Sequence, residues 1–241
     1  MNITYGICNL SAIALRKEAR HASEMVSQLL YNETYTVLDR TQEWILIQTS
    51  LDQYEGWIQA KQFKEISEEE HDALKGRKLY LTSKPIVAYN GLFLTMGTPL
   101  HEPHPEAVEM LSGFHPGLMV DYAKMLLGAP YLWGGRTAFG IDCSGLVQVC
   151  ARLSGLLLPR DASQQVKCGD LVYFLQETQP GDLAFFGNED GRITHVGIVM
   201  NDERIIHSSG QVRIDYLDQT GIFNKERNEH THRLQVIKRL P

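Results

Sequence analysis

The stretch Tyr131-Leu-Trp-Gly-Gly-Arg-Thr-Ala-Phe-Gly-Ile-Asp-Cys-Ser-Gly-Leu-Val147 carries most of what the chain reveals about itself. A glycine-rich aromatic loop runs into Asp142-Cys143-Ser144-Gly145. Apolar residues then recur at helical spacing (Leu146, Val149, Cys150, Leu153) and stop at Gly155. The reading is a loop, a helix over Cys143–Leu153, and a cysteine at its first turn. Such a cysteine faces unsatisfied backbone N–H groups and the positive end of the helix dipole. Both favour thiolate, the nucleophilic form. Asp142 stands where a helix N-cap belongs. A small buried hydrophobe is the competing reading for Cys143, and it is the one adopted for Cys150 and Cys168.

Further along, Thr194–Met200 and Arg204–His207 read as two strands around a polar turn at 201–203. His195 and His207 stand six residues either side of position 201. Residues equidistant from an antiparallel turn face each other, so the two are expected as cross-strand neighbours. One imidazole can then hold the tautomer of the other. A thiol, a base beside it and a group orienting the base make the arrangement needed for nucleophilic catalysis. His21, His71, His115, His230 and His232 are read as surface residues. His101 and His104 are not read as a metal clip, because Pro103 and Pro105 break the helix that would align them.

Outward from this region the texture changes near residue 114. Upstream, Thr34–Leu38, Trp44–Thr49, Gly56–Gln59, Lys78–Thr82, Ile86–Tyr89 and Leu92–Met96 are strand-like, with Asn90-Gly91 as a hairpin turn. Glu65–Lys75 is a charged helical linker opened by Ser67 and Glu70, a capping box. His101–His115, rich in proline, is read as irregular. Downstream comes a helix at Gly117–Leu127, the Cys143 helix, and a strand at Gly181–Gly187. The fold class is therefore α+β, helices packed on an antiparallel sheet, preceded by a small all-β barrel or sandwich.

Composition fits this reading. Of 241 residues, 43% are hydrophobic and 22% charged, with a net charge of −6. The chain is not disordered. It has no basic footprint for nucleic acid and no apolar run long enough for a membrane span. Four cysteines without a CxxC pair indicate neither a disulfide scaffold nor zinc. No basic residue precedes the apolar stretch Ile7–Leu15, so if Met1 is the start the expected location is the cytoplasm.

Five motifs in order, Tyr131-Leu-Trp-Gly-Gly, Asp142-Cys-Ser-Gly-Leu-Val147, Leu158-Pro-Arg-Asp-Ala-Ser163-Gln-Gln165, Pro180-Gly-Asp-Leu and Thr194-His-Val-Gly-Ile, resemble the NlpC/p60 family of papain-like cell-wall peptidases over roughly residues 115–235. Ser11–Leu30 and Tyr54-Glu-Gly-Trp-Ile58 more weakly resemble a bacterial SH3-like domain, its opening strand and loop and its signature hairpin. The resemblance implies an SH3-like domain over 1–66, a β-rich extension and linker over 67–114, and a catalytic domain over 115–241. It implies a triad of Cys143, His195 and His207, with Tyr131 as the active-site tyrosine. Among murein-peptide relatives it implies that Asp142, Ser144, Ser163 and Glu55 hold the free amine of an N-terminal L-alanine, with Tyr89 as a further contact.

The expected activity is a cysteine peptidase cleaving the γ-D-glutamyl–L-diamino-acid bond in murein recycling, without metal or organic cofactor. Neither nucleic acid nor membrane is expected as a partner. Two alternatives stay open: a secreted hydrolase of intact peptidoglycan, and a non-catalytic module that binds wall peptide. The diamino acid, diaminopimelate or lysine, is also open.

Overall fold

The structure is a computed structural model describing residues 3–201 and 203–241. Met1, where the first domain was drawn to begin, and Asp202, within the polar turn, lie outside the described residues. The chain divides into two compact units, Met1–Met110 with Trp133–Ala138, and Leu111–Leu132 with Phe139–Pro241.

In the first unit, seven strands form one antiparallel sheet: β1 (Thr4–Ile7), β2 (Ala12–Arg16), β3 (Met25–Leu30), β4 (Thr34–Arg40), β5 (Trp44–Thr49), β6 (Glu55–Gln59) and β7 (Glu65–Ile66). Their order is β3-β2-β6-β5-β4-β1-β7. Alternation along β2 and β5 turns Ile13, Leu15, Ile45 and Ile47 into a core closed by Leu29, Tyr35 and Ile58. Ser11–Leu30 thus holds two paired strands where one strand and a loop were expected.

Ser67 and Glu70 form the expected capping box at the head of α1 (Glu68–Lys75). His71 in that helix is a correction. It is buried, not on the surface, stacked on Tyr5 at 4.0 Å. Short strands follow: β8 (Tyr80–Thr82), β9 (Ile86–Tyr89), β10 (Leu92–Thr95), β11 (Pro99–Leu100) and β12 (Ala107–Glu109). β9 and β10 join through Asn90 and Gly91, both at positive φ, the backbone that a two-residue hairpin needs. β12 pairs with β8 inside the segment read as irregular.

The segment Trp133–Ala138 is tied into this unit by a buried ion pair. Arg136 donates to both carboxylate oxygens of Glu33 at 2.9 and 3.1 Å, and also to the Gln28 carbonyl. The two side chains are 3% and 4% exposed.

In the second unit, α2 (Pro116–Met125) packs against α3 (Cys143–Leu153). Two-residue strands β13 (Arg136–Thr137) and β14 (Gly140–Ile141) precede α3 in sequence, and the short helix α4 (Ala162–Gln165) follows it. The sheet comprises β15 (Asp170–Val172), β16 (Leu183–Gly187), β17 (Ile193–Val199), β18 (Arg204–Ser209), β19 (Gln211–Leu217), β20 (Gly221–Asn224) and β21 (Glu229–Arg239). Only β16, β17 and β18 were legible as strands.

β21 is eleven residues long. One edge pairs with β16, and the other pairs with β20 at its start and β15 at its end. The ladder β16-β17-β18-β19-β20-β21 therefore closes on itself. Such closure gives the sheet an inside. Ala184, Phe186, Val199, Ile205, Leu217, Ile222 and Ile237 fill it. α3 packs on β17 and β18 from outside. Leu183 and Phe185 face that side by strand alternation, which is why this part of β16 is apolar without a break.

All three tryptophans (Trp44, Trp57, Trp133) lie in the first unit, so tryptophan emission reports its unfolding alone. Arg136→Leu strands a buried carboxylate and is expected to destabilise this unit by about 3–5 kcal/mol. The double variant with Glu33→Leu should recover a large part of that loss. Urea titration followed by tryptophan fluorescence checks both, and equal loss in the single and double variants would contradict the pairing.

Candidate active site

Asp142 caps α3, its Oδ1 accepting from the Gly145 N–H at 2.7 Å. The same carboxylate takes a two-pronged ion pair from Arg160, at 3.0 and 2.7 Å. Arg160 is 1% exposed and also donates to the Ser144 hydroxyl. Gln165 donates to the carbonyls of Ser144 and Pro159. The Leu158–Gln165 motif thus works as a brace around the first turn of α3. Ser208 on β18 donates to the Ile141 carbonyl, fixing the approach to Cys143.

Cys143 is 7% exposed, and the N–H groups of Val196 and Ser144 are directed at its sulfur. Burial first, then the charge of Asp142, push its thiol up to about 11, against the lowering by those N–H groups and Arg160. This corrects the expectation of a resting thiolate. The helix terminus stabilises the anion as foreseen, but desolvation is the larger effect. Tyr131 stands close enough to Cys143 and Asp142 to feel their charges, and burial above all raises its hydroxyl to about 12.

The histidine hairpin differs in register from expectation. His207 is paired with Gly197, not His195. The offset is two residues, and side chains repeat every two along a strand, so both rings stay on one face and meet diagonally. His195 Nε2 lies 2.9 Å from His207 Nδ1. Gly197 permits this. A Cβ there would sit 2.7 Å from Ile205 and 3.0 Å from the His207 Cβ.

A fourth member, unseen in the sequence, completes the chain. Asp215 on β19 lies 3.0 Å from His207 Nε2 and is held by Arg213 at 2.7 and 3.0 Å. Burial opposes its ionisation, but the hydrogen bonds from His207 and Arg213 outweigh this and hold its carboxyl below the usual range. A carboxylate only accepts, so His207 Nε2 donates to Asp215; in the neutral form of His207 its Nδ1 then accepts from His195 Nε2. The lone pair of His195 is thereby left on Nδ1. Burial, then His232 and His207, hold His195 well below the ordinary imidazole range, so it rests neutral near pH 7.

His232 is the second histidine to correct. It is half-buried, stacked on His195 at 4.1 Å, and burial followed by His207 push it down to about 4. A register irregularity in β21 matches Phe185 and Phe186 to Val236 and Leu234. This bulge turns Leu234, and His232 two residues before it, to the inner face. Strand alternation is broken there, so the pattern hides both. His195, His207, Asp215 and His232 together make one polar end of an otherwise apolar interior.

The remaining expected residues are Ser163, Glu55 and Tyr89. Ser163 is exposed on α4, which packs against β17. In the first unit, Glu55 is exposed and accepts from the Gln48 amide at 3.2 Å, and Tyr89 lies against Tyr31 and His104.

Comparison with known proteins comes from two parts of the chain. Residues 128–231 match the NlpC/P60 family, and residues 15–63 match the bacterial dipeptidyl-peptidase Sh3 domain. The gamma-D-glutamyl-L-lysine dipeptidyl-peptidase of Bacillus subtilis is 40% identical over 92 residues, 37% of this chain and 31% of that protein. The probable endopeptidase NlpC of Escherichia coli is 43% identical over 91 residues, 37% of this chain and 58% of that protein. The chain thus spans less than two thirds of these curated relatives. The crystal structure of an NlpC/P60 family protein from Bacillus cereus superposes with a TM-score of 0.83 at 19% identity, over 98% of this chain and 100% of the other, a likeness of fold.

With both thiol and imidazole neutral at rest, alkylation of Cys143 by iodoacetamide should rise about tenfold per pH unit from pH 6 and level only near the raised thiol value. Mass spectrometry of the modified peptide measures the profile. A plateau at or below neutral pH would instead reveal a thiolate–imidazolium pair already formed in the resting protein.

Proposed function

We propose that this chain, which carries an NlpC/P60 domain with a bacterial SH3 domain ahead of it in sequence, is a cysteine peptidase acting on peptidoglycan-derived peptides. The observation that carries the reading is the directed hydrogen-bond chain from Asp215 through His207 to His195, beside a strand whose Val196 N–H is directed at the Cys143 sulfur. A non-catalytic binding module has no use for a carboxylate that sets the proton positions of two buried imidazoles.

In the proposed reaction, substrate displaces water around Cys143, and His195 Nδ1 accepts the thiol proton as sulfur attacks the γ-glutamyl carbonyl carbon. The Cys143 N–H, one of the donors without a partner inside α3, and the Tyr131 hydroxyl stabilise the oxyanion. His195 returns the proton to the departing amine, leaving a thioester. Water, deprotonated by His195, then releases the acyl product and regenerates the thiol. A rise in the His195 proton affinity as the thiolate forms beside it is what the Asp215–His207 pair supports.

The finer reading is a γ-D-glutamyl–L-diamino-acid endopeptidase that requires a free N-terminal L-alanine, recycling murein peptides in the cytoplasm. The name of the B. subtilis relative supports the bond and the diamino-acid class. Asp142 supplies negative charge next to the nucleophile, but Arg160 offsets it. Amine recognition is assigned to Asp142, Ser144, Ser163 and Glu55, with Tyr89 as a further contact.

Mass spectrometry of L-Ala-γ-D-Glu-diaminopimelate, its lysine analogue and their N-acetylated forms tests it. Cleavage of the free-amine peptides alone, abolished by Cys143→Ala, is expected. Equal cleavage of the acetylated forms removes the amine gate, and preference for intact sacculi favours the secreted-hydrolase reading. Asp215→Asn offers an N–H to His207 Nε2, reverses both tautomers and leaves His195 Nδ1 protonated toward the thiol. It should lower kcat on the order of 10²–10⁴-fold with little change in KM. Steady-state kinetics decides, and a variant within a factor of two of the native rate would contradict the directed relay.

A further inference from the structure

Three histidines meet at the polar end of the closed sheet, and the proton relay uses two of them. His195, His207 and His232 each offer a ring nitrogen within 4.8 Å of the other two. Edge to edge, His207 and His232 have their ring centres 5.6 Å apart. The neighbours of each ring decide which nitrogen carries the lone pair.

His207 gives its Nε2 proton to Asp215, which turns a bare Nδ1 inward. A carboxylate holding the far side of a ligating imidazole is how zinc sites fix their histidines. Thr231 has one hydroxyl proton and two neighbours. It lies 2.9 Å from His232 Nδ1, and with its hydroxyl donated to the Ile222 carbonyl at 3.4 Å it accepts from that Nδ1 and leaves His232 Nε2 bare. His195 Nε2 faces His207 Nδ1 across 2.9 Å.

We propose that these three imidazoles form a binding site for a divalent transition-metal ion of the zinc class, and that the ion switches the catalytic base off. Zinc binds imidazole nitrogen at about 2.0–2.1 Å with tetrahedral angles, which places ligating nitrogens about 3.3 Å apart. The His195–His207 pair opens by roughly 0.4 Å and both rings turn, so that nitrogens now facing each other across a hydrogen bond converge on the ion. His232 closes the larger gap. Stacked rings cannot both aim in-plane lone pairs at one point, so His232 leaves its stack on His195 and turns edge-on. It is the half-buried member of the trio and the one free of the relay.

The inhibitory consequence rests on the proposed peptidase reading and follows from proton counting. A neutral imidazole has one N–H. When the ion takes His195 Nε2, that proton moves through solvent to Nδ1, with no net release. Nδ1 is the atom proposed to accept the Cys143 proton, so the loaded protein has no base facing its thiol. The site inhibits and is no cofactor of the reaction.

Calorimetric titration of the full chain, freed of metal by chelator, with zinc chloride tests the site itself. One ion per chain is expected for the native protein and for Cys143→Ser, and at least tenfold weaker binding for His232→Gln with an unchanged circular dichroism spectrum. No saturable binding, or equal affinity in His232→Gln, overturns the site. Loss of binding in Cys143→Ser moves the ligand to sulfur and overturns the three-histidine assignment.

Long-range ¹H–¹⁵N spectra of the histidine rings give a second readout that survives any misfolded variant. Zinc should move the His195 proton to Nδ1, and an unchanged tautomer in the loaded protein overturns the mechanism of inhibition. A metal-free protein with no peptidase activity would count against the proposed function alone, since calorimetry judges the metal site independently.

Discussion

A carboxylate accepts hydrogen bonds and never donates them, and that one-sidedness at Asp215 organises the second unit's polar centre. It fixes the His207 proton on Nε2, which fixes the His195 proton on Nε2, which leaves a basic lone pair on His195 Nδ1. The hydrogen bonds from His207 and Arg213 hold the Asp215 carboxyl below the usual range despite burial. Without a fixed end to the chain, two neutral imidazoles in contact would have two equivalent tautomer pairs, and only one of them presents a base.

The closed sheet is what makes such a chain affordable in structural terms. Its interior is apolar along most of its length and polar at one end, so four ionisable groups can be buried next to one another with partners for each. Burial pushes Cys143, His195 and His232 toward the neutral form. It lifts Cys143 and lowers His195 and His232. Cys143 and His195 are accordingly both neutral at rest, and in the proposed reaction charge separation is deferred to the moment of attack. The same crowding of neutral imidazoles, with bare nitrogens turned inward, is the chemistry a zinc-class ion seeks, so in this fold a catalytic base and a metal ligand differ only by the position of one proton.

Cys143 is positioned by a different set of forces. Asp142 caps its helix, Arg160 neutralises and clamps Asp142, and Gln165 ties down the adjoining carbonyls. Cys143 therefore sits on a first turn braced by the cap, the Arg160 clamp and Gln165. A residue that looked from its motif like part of a substrate pocket, Asp142, has a structural task in full, and any substrate contact it makes is added to that task.

The helix over Cys143–Leu153, the strands on either side of the histidine turn, the hairpin at Asn90-Gly91 and the α1 capping box were legible in the sequence because each is specified within a few neighbouring residues. Periodicity, a cap or a turn residue is local chemistry. The two-residue shift in the β17–β18 register was not, since the turn alone does not set it once Gly197 lets His207 pack opposite. β19, β20 and β21 were missed for a related reason. The pairings that close the sheet join strands by long-range contacts, and a bulge in β21 breaks alternation where His232 turns inward. Asp215 and His232 lie 20 and 37 residues beyond His195 along the sequence; β18–β19 pairing brings Asp215 to the His207 ring, and the return of β21 across β16 and β20 brings His232 to the His195 ring. The sequence by itself determined which residue types are present to do chemistry and the local elements that carry them. Tertiary structure alone decided who touches whom, where each proton rests and how far burial outweighs the helix terminus at Cys143, because desolvation and long-range pairing are properties of the assembled chain and of no segment within it.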